Sequence, residues 1–194
     1  MNQSVNIYLV LLHYPMTNRN GERVTTSVTN MDIHDISRTC RTYGIKNYYI
    51  VTPLVDQHTI VGRLLDHWKT EKSREFHPDR VEALSRVKLL SSFDEVMEDI
   101  AAQNGGDKAE VVLTDARPQL EKQMSYSEYR EVLKSPTRTR PSVIVFGTGW
   151  GVHPSFHSRV DVILDPVLGS EGAGGYNHLS VRAAVAIILD RLSF

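Results

Sequence analysis

Short apolar runs alternate along this chain with segments whose apolar residues recur every three or four positions. The apolar and β-branched runs lie at residues 5–12, 47–52, 87–90, 110–114, 142–146 and 160–164. Most of these runs are apolar at consecutive positions, which is typical of strands that are buried on both faces of a sheet. The pattern therefore predicts a parallel sheet of about six strands.

The intervening segments predict helices that cover the sheet. Residues 32–43 place apolar side chains along one stripe and end at Gly44, which is a frequent signal for the end of a helix. Helical periodicity also covers residues 54–71, 92–103 and 125–134, and the last of these opens with the capping-box pattern Ser-Tyr-Ser-Glu. Strands that alternate with helices predict an α/β fold with helices flanking a parallel sheet.

Two polar stretches interrupt this alternation. Residues 13–29 form a connection that is long for a compact domain, and connections of that length are usually functional or mobile. Residues 134–141 combine three basic side chains with two prolines. Such a segment is either a solvated connection, which is the commoner case, or a patch that contacts phosphate.

The composition predicts one globular domain over residues 1–194 without a membrane segment. A chain of 194 residues with 41% apolar residues is large enough for one substantial core. No apolar run approaches the ~18 residues that a membrane-spanning helix needs. The 22 basic and 23 acidic residues nearly cancel, so net charge gives no general attraction to nucleic acid and any RNA contact has to be local.

Cysteine and histidine usage argues against a metal centre. Cys40 is the single cysteine of the sequence, which excludes an intramolecular disulfide and zinc sites built from several thiolates. The histidines lack the His-Glu-x-x-His spacing that places two ligands on one helical face. We therefore expect a cytoplasmic protein that binds no metal.

Glycine is concentrated after the last two predicted strands. The strand at 142–146 leads into Gly-Thr-Gly-Trp-Gly at 147–151, and the strand at 160–164 leads into a loop with four glycines before Asn177. Ligands of parallel α/β sheets bind outside the carboxyl ends of the strands, and glycine there permits close backbone approach. Neither loop has the Lys-Ser or Lys-Thr of a P-loop or the first-strand position of a dinucleotide fingerprint, which disfavours a generic nucleotide-binding enzyme.

Three segments resemble motifs of the SPOUT RNA methyltransferases and occur in that family's order. Residues 177–187, Asn-His-Leu-Ser-Val-Arg-Ala-Ala-Val-Ala-Ile, resemble the last motif; residues 30–44, an Asn followed by Arg-Thr and a helix-ending Gly, resemble the first. Residues 146–151 stand in the place of the middle motif. The resemblance, which is closest to a stand-alone, largely uncharacterised bacterial subfamily, implies one SPOUT-like domain with a C-terminal deep trefoil knot that binds S-adenosylmethionine and methylates tRNA or rRNA.

The resemblance also implies which residues form the site. Arg38 matches the arginine of the first motif and would grip a phosphate or stabilise charge on the acceptor atom, with Asn30 and Glu171 completing the implied catalytic set. The general base stays open among Glu171, Asp115 and Asp165, as does the choice between a ribose oxygen and a base nitrogen as acceptor. Three strand-end loops would hold the cofactor through Leu113, Thr114, Asp115, Gly147, Thr148, Gly149, Gly151, Ile163, Leu164, Pro166, Leu168, Gly169, Tyr176, Asn177, His178, Leu179 and Ser180.

Two functions from different classes stay open. One is an S-adenosylmethionine-dependent RNA methyltransferase, and the other is a non-catalytic RNA- or protein-binding module that keeps the knotted cofactor-binding fold. Because the chain has little continuous basic surface, we expect a homodimer in which each subunit contributes part of an RNA groove. By similarity to SPOUT relatives, residues 32–43 and the helix after Asn177 would form the contact, with Arg38 of one chain near the cofactor of the other. Without the resemblance, Arg38 is an ordinary surface residue and the alanines of the last helix simply pack on their own sheet.

Overall fold

The computed structural model describes residues 6–118 and 121–193, and the parallel sheet expected from the sequence is present in it. Seven strands form this sheet in the order β5-β4-β1-β8-β6-β9-β7, and each neighbouring pair is parallel. Two further strands, β2 and β3, form a separate antiparallel hairpin. The strands in chain order are β1 (Ile7–Leu12), β2 (Met16–Thr17), β3 (Arg23–Val24), β4 (Tyr48–Val51), β5 (Val87–Leu90), β6 (Glu110–Thr114), β7 (Gln123–Met124), β8 (Ser142–Phe146) and β9 (Val162–Leu164).

The strands differ from the sequence prediction at three places in the sheet. Strand β4 is one residue shorter at each end than the predicted run at 47–52. The last predicted strand begins at Val162 rather than Val160, because Val160 closes a 3-10 turn over Pro154–Arg159 by donating to the carbonyl of His157. A seventh strand, β7, has only two residues and was not predicted. Val5, the predicted first residue of the first strand, lies outside the described residues.

Helices cover both faces of the sheet. Side chains cap several of them as expected, and the predicted capping box at Ser125 and Glu128 is present. The structure's first helix begins two residues before the predicted start at Asp32, because the Thr29 hydroxyl accepts a hydrogen bond from the Asp32 N–H. The helices in chain order are α1 (Asn30–Thr42), α2 (Val55–Trp68), α3 (Glu71–Phe76), α4 (Pro78–Leu84), α5 (Phe93–Gln103), α6 (Tyr126–Lys134) and α7 (Val181–Leu192).

The prediction of one helix over residues 54–71 is wrong at its end. Helix α2 ends at Trp68, and Thr70 caps a new helix by accepting a hydrogen bond from the Ser73 N–H. The short helices α3 and α4 were not predicted. They pack beside α1 and α2, where they lengthen the helical layer on that face of the sheet.

The consecutive apolar residues of the strands supply two cores, one on each face. Leu9 and Leu11 of β1 belong to the core that contains Ile36 of α1, whereas Val10 belongs to the core that contains Val96 of α5. Each such fully buried side chain contributes about 1.5–3 kcal/mol relative to exposure. This arrangement confirms the α/β class and explains why the strands show no alternation of apolar and polar residues.

The sheet brings the loops of interest to one edge. Since its strands are parallel, the carboxyl ends of β1, β8, β6 and β9 lie side by side at the same edge. Strand order reverses between β1 and β8, which is where α/β sheets open a crevice for ligands. Within the described residues, no helix combines the length and the apolar composition that membrane spanning requires.

Candidate functional site

The loop at residues 147–151 follows β8 and lies against the β2–β3 hairpin. The Thr17 N–H donates to the carbonyl of Gly151 over 2.9 Å. Met16 forms an isolated antiparallel bridge with Val152. The long polar connection after β1 therefore covers one side of the glycine-rich loop.

Glycine is required in this loop by the local packing and backbone conformation. A Cβ atom at Gly147 would lie 2.8 Å from side-chain atoms of both Met16 and Val152. Gly149 and Gly151 have φ angles of +58° and +96°, which side chains other than glycine rarely adopt. Substitutions here would disturb the loop as well as any ligand beside it.

A buried histidine and two threonines join this loop to the end of β1. Nδ1 of His13 lies 3.0 Å from the Thr26 hydroxyl, which lies 2.5 Å from the Thr148 hydroxyl. Thr148 also donates to the carbonyl of Leu12 over 3.3 Å. Burial lowers the pKa of His13 from 6.5 to about 4, so the ring is neutral at neutral pH. This network fixes the position of Thr148 at the start of the loop.

The loop after β6 meets the same glycines. The Asp115 carboxylate accepts hydrogen bonds from the N–H of Arg117 at 2.9 Å and from its Nε at 3.2 Å. The Arg117 guanidinium lies beside Gly151, where a Cβ atom would be 3.0 Å from Nη2. Thr114 donates to the carbonyl of Val145 over 3.0 Å, which ties the end of β6 to β8. The first two of the three predicted loops are thus in contact.

The loop after β9 is open to solvent and presents apolar side chains. Leu168 and Tyr176 are 70% and 69% exposed, and Leu179 is 45% exposed. The ring of Tyr176 lies 5.8 Å from that of His178. Exposed apolar groups at the carboxyl edge of a parallel sheet offer surface to a flat, partly apolar ligand.

This loop folds back on itself before α7 begins. Nδ2 of Asn177 donates to the carbonyl of Val167 over 2.9 Å, and a Cβ atom at Gly169 would lie 2.9 Å from the carbonyl of Tyr176. The Ser180 hydroxyl caps α7 by accepting from the N–H of the third helical residue. Pro166 is half-buried where the loop leaves β9. The last predicted motif therefore combines a closed loop with a capped helix.

The three candidate bases have different surroundings. Asp165 accepts a hydrogen bond from Gln123 over 2.6 Å, and Asp115 accepts from Arg117. Glu171 is exposed at the start of a short 3-10 turn, and its carboxylate makes no hydrogen bond within the described residues. Of the three, Glu171 therefore has the carboxylate oxygens that are available to accept a proton.

Three of the predicted cofactor residues are strand residues of the core. Leu113, Ile163 and Leu164 are at most 4% exposed. Their side chains pack between the sheet and its helices, so a ligand at the edge would meet their backbone or their neighbours rather than the side chains themselves.

An ion pair joins the first turn of α1 to the first turn of α7. The nearly buried Asp32 carboxylate accepts from Nη1 of Arg182 at 2.8 Å and from the hydroxyl of Thr29 at 2.6 Å. Arg182 also lies 3.4 Å from the carboxylate of Asp35. Asn30, the first residue of α1, is exposed at this end of the helix. The segments that resemble the first and last motifs are therefore in direct contact.

Arg38 lies elsewhere, about 12 Å further along α1 than Asn30 at the usual rise per residue. It lines a cavity of about 370 Å³ between α1 and α4, to which the loops after β6, β8 and β9 contribute no residue. The structure thus places the predicted cofactor loops at one edge of the sheet but does not bring Arg38 of the same chain to them.

Several residues of the site were not singled out in the sequence. They are His13, Thr26 and Arg182. Thr26 and Arg182 contact segments that lie far apart in the chain, and His13 contacts Thr26 within the connection after β1. The one local signal for this group was Thr29, which precedes Asp32 by three residues in a common helix-start pattern.

Comparisons of the sequence identify relatives along nearly the whole chain. The family model described as SAM-dependent RNA methyltransferase matches residues 6–194. An uncharacterized protein of Aquifex aeolicus (strain VF5) is 43% identical over 187 residues, which cover 96% of this chain and 88% of that protein. A tRNA (guanine-N(1)-)-methyltransferase of Oleidesulfovibrio alaskensis is 40% identical over 96% of this chain, and the chain spans only 42% of that longer protein.

Solved structures share the fold at low identity. A probable methylase family protein from Haemophilus influenzae Rd KW20 has a TM-score of 0.63 and 18% identity, covering 97% of this chain and 65% of its own. The TrmH/SpoU tRNA modifying enzyme of A. aeolicus has a TM-score of 0.52 and 17% identity, covering 97% of this chain and 74% of its own. These likenesses establish the α/β architecture of the chain.

Proposed function

This chain belongs to the family of SAM-dependent RNA methyltransferases, and we propose that it binds S-adenosylmethionine at the carboxyl edge of its sheet and methylates a nucleotide of tRNA or rRNA. The observation that supports this most directly is the contact between strand-end loops. Asp115 and Arg117 after β6 adjoin Gly151 after β8 at the edge where ligands of such sheets bind.

The residues at this edge suit S-adenosylmethionine. Adenine recognition needs an apolar wall with backbone donors and acceptors, and Leu168 and Leu179 supply exposed apolar surface. The backbone N–H groups of Leu168 and Gly169 make no hydrogen bond within the described residues, so they are available to a ligand. The cofactor supplies an activated methyl group, whose in-line transfer requires alignment and no metal.

We assign three residues to the acceptor side. Arg38 would grip a phosphate or stabilise charge that develops on the acceptor atom. Asn30 stands at the exposed start of α1, where its amide would orient the acceptor. Glu171, with its carboxylate uncommitted, would take the proton of an acceptor that carries one.

The position of Arg38 supports a shared site in a homodimer. Arg38 is exposed and lies away from the cofactor loops of its own chain, so we propose that it serves the loops of a partner subunit. Met31, which is 60% exposed on the same helix, would be covered in such a contact. A C-terminal trefoil knot is also part of the proposal, because residues 177–187 resemble the last motif of the SPOUT family. Cys40 is a buried free thiol, in keeping with a cytoplasmic protein.

tRNA is the first RNA to test. A relative with 40% identity is named tRNA (guanine-N(1)-)-methyltransferase. Because this chain spans 42% of that protein, the name does not say which part carries the activity. The acceptor atom therefore has to be mapped rather than transferred from the relative.

A non-catalytic binding module is the second candidate. The observation that favours it is the separation of Arg38 from the cofactor loops within one chain. A module of this kind would bind S-adenosylmethionine and RNA or protein without transferring the methyl group.

One experiment separates the two candidates. Labelled methyl transfer from S-adenosylmethionine to unmodified total RNA, followed by nucleoside mapping, should locate one modified position. Calorimetry should give micromolar cofactor affinity, about −8 kcal/mol. Affinity without transfer to any RNA would favour the binding module, and the absence of cofactor binding would contradict both.

A matched pair of variants tests the location of the cofactor. Leu168→Ser removes a side chain that is 70% exposed, so it should weaken S-adenosylmethionine binding without lowering stability. Gly172→Ala is the control in the same loop, because its added Cβ atom would have no neighbour within 4 Å. Equal affinities of the two variants would place the cofactor elsewhere.

A further inference from the structure

A basic cavity lies outside the proposed cofactor edge. It has a volume of about 370 Å³ and lies between α1 and the segment that joins α3 to α4. Its lining carries the three arginines Arg38, Arg41 and Arg80 against the single carboxylate of Asp79. Such an excess of guanidinium groups favours an anionic ligand.

Two of the three arginines are uncommitted. Arg41 forms an ion pair with Glu82, so its charge is already balanced. The side chains of Arg38 and Arg80 make no hydrogen bond and no ion pair within the described residues. Their N–H donors are therefore available to a phosphate.

Arg80 is held in place by an aromatic cluster. Its guanidinium lies over the ring of Trp68, 5.2 Å from the centroid, and Trp68 is in edge contact with His34 and His77. A cation–π contact of this kind holds the charged group beside the ring and gives its N–H groups no acceptor oxygen. The donor group is thus positioned before any ligand arrives.

An exposed aromatic ring borders the same cavity. Phe76, the last residue of α3, is 63% exposed although it is large and apolar. A flat ring beside guanidinium groups is the combination by which proteins hold an unstacked nucleotide, with the base on the ring and the phosphate on the cations. An acidic peptide would use the arginines and leave the ring without a partner.

We propose that this cavity binds one unstacked nucleotide of single-stranded RNA, with its phosphate on Arg38 and Arg80 and its base on Phe76. The proposal rests on the proposed function in that the RNA is the methylation substrate. It adds to that function a binding site from α3 and α4, which lie outside the three motif-like segments.

The test measures RNA binding by fluorescence anisotropy at several salt concentrations. One probe is a single-stranded RNA of mixed sequence, about 20 nucleotides long. The other is the duplex that this strand forms with its complement. Arg80→Gln should lower affinity for the single strand about fivefold at about 0.1 M salt and reduce the salt slope by about 0.7, the loss of one phosphate contact. Phe76→Leu should lower affinity about tenfold and leave the slope unchanged, because it removes base stacking.

Arg74→Gln is the matched control. Arg74 lies on α3 and is exposed, but it does not line the cavity. The variant loses the same charge as Arg80→Gln, yet its affinity should depend on salt as the wild-type affinity does. Equal effects of Arg74→Gln and Arg80→Gln would overturn the proposal in favour of diffuse attraction. Equal affinity for duplex and single strand would also overturn it. A third result would overturn it as well. If millimolar inorganic phosphate displaces the RNA and Phe76→Leu does not change the affinity, the cavity is a general anion site.

Methyl transfer, measured in parallel, separates this proposal from the function on which it rests. If the wild type methylates RNA and both Arg80→Gln and Phe76→Leu bind the probe with wild-type affinity, the proposed nucleotide site is wrong and the proposed methyltransferase activity is retained. If both variants lose binding and the wild type methylates no RNA, the nucleotide site stands and the proposed activity is wrong. Thermal melting of each variant confirms that it is folded.

Discussion

His13 is a neutral ring in the interior of the protein, and its neutrality makes stability depend on pH. In the folded state its pKa is about 4, whereas in the unfolded chain it returns to 6.5. Between these two pKa values His13 is protonated in the unfolded chain and neutral in the folded protein. Its contribution to folding stability is therefore fully present at neutral pH and is lost as pH falls towards 4. We expect His13 alone to account for a loss of roughly 3 kcal/mol.

Denaturant unfolding at several pH values checks this expectation. His13→Asn keeps a polar atom near the position of Nδ1 but has no titrating ring. The variant should lose less stability than the wild type on acidification, even if it starts from a lower value. Parallel pH curves for the two proteins would show that His13 does not titrate in this window.

Arg38 is the residue whose removal should separate catalysis from cofactor binding. Because it lies outside the cofactor loops, Arg38→Ala should leave S-adenosylmethionine affinity within about tenfold and lower methyl transfer by at least ~10²-fold. Arg74→Ala, an exposed arginine outside the cavity, serves as the control. Undiminished turnover in Arg38→Ala would make Arg38 an ordinary surface residue.

At the scale of elements, the ion pair between Asp32 and Arg182 is expected to couple α1 to α7. Arg182→Ala leaves the nearly buried Asp32 carboxylate with the Thr29 hydroxyl as its hydrogen-bond partner among the described residues. The cost should be about 2 kcal/mol because Arg182 is partly exposed. In a double-mutant cycle with Asp32→Asn, the two losses should not add. Additive losses in urea unfolding would mean that the helices are held by apolar packing alone.

The elements that the sequence predicts well are those whose signal is local. Strands β5, β6 and β8 match their predicted bounds because each is a short run of mostly apolar and β-branched residues. Helices α3 and α4 were missed because six and seven residues show less than two full turns of periodicity, and β7 because two residues show no pattern at all.

The candidate site follows the same rule. The glycine-rich loops were predictable because glycine itself marks them after each strand. The hydrogen bond between Thr26 and Thr148 joins residues 122 positions apart, and the ion pair between Asp32 and Arg182 joins residues 150 apart. Such contacts depend on the strand order, which periodicity does not encode. The expectation that Arg38 serves the loops of a partner subunit likewise came from the resemblance to SPOUT relatives and not from periodicity.

At the scale of the whole molecule, we expect a dimer with shared sites. Light scattering at micromolar concentration should give a mass of about 44 kDa, twice the 21.9 kDa of the chain. A mass near that of one chain would reject both the dimer and the shared site.

Mixing two impaired variants tests the sharing directly, at an S-adenosylmethionine concentration too low for Leu168→Ser to turn over. Arg38→Ala and Leu168→Ser subunits that exchange freely form heterodimers in which one of the two sites keeps both residues. Activity should then recover to about a quarter of the wild type, because half of the dimers are mixed. No recovery, although exchange has occurred, would mean that each subunit completes its own site.

The place of β8 in the sheet also governs how the protein comes to be folded. Ile7 of β1 pairs with Ser142 of β8, and β6 pairs with β8 on the other side. During synthesis the strands on either side of this gap are complete before their common neighbour exists, so each presents an open edge that can pair with another chain. Closing the gap requires contacts across most of the sequence, which slows folding relative to domains built from local contacts. The ordering that sets the ligand-binding edge in the finished protein is therefore also the reason that the growing chain stays exposed to aggregation until its last third has been made.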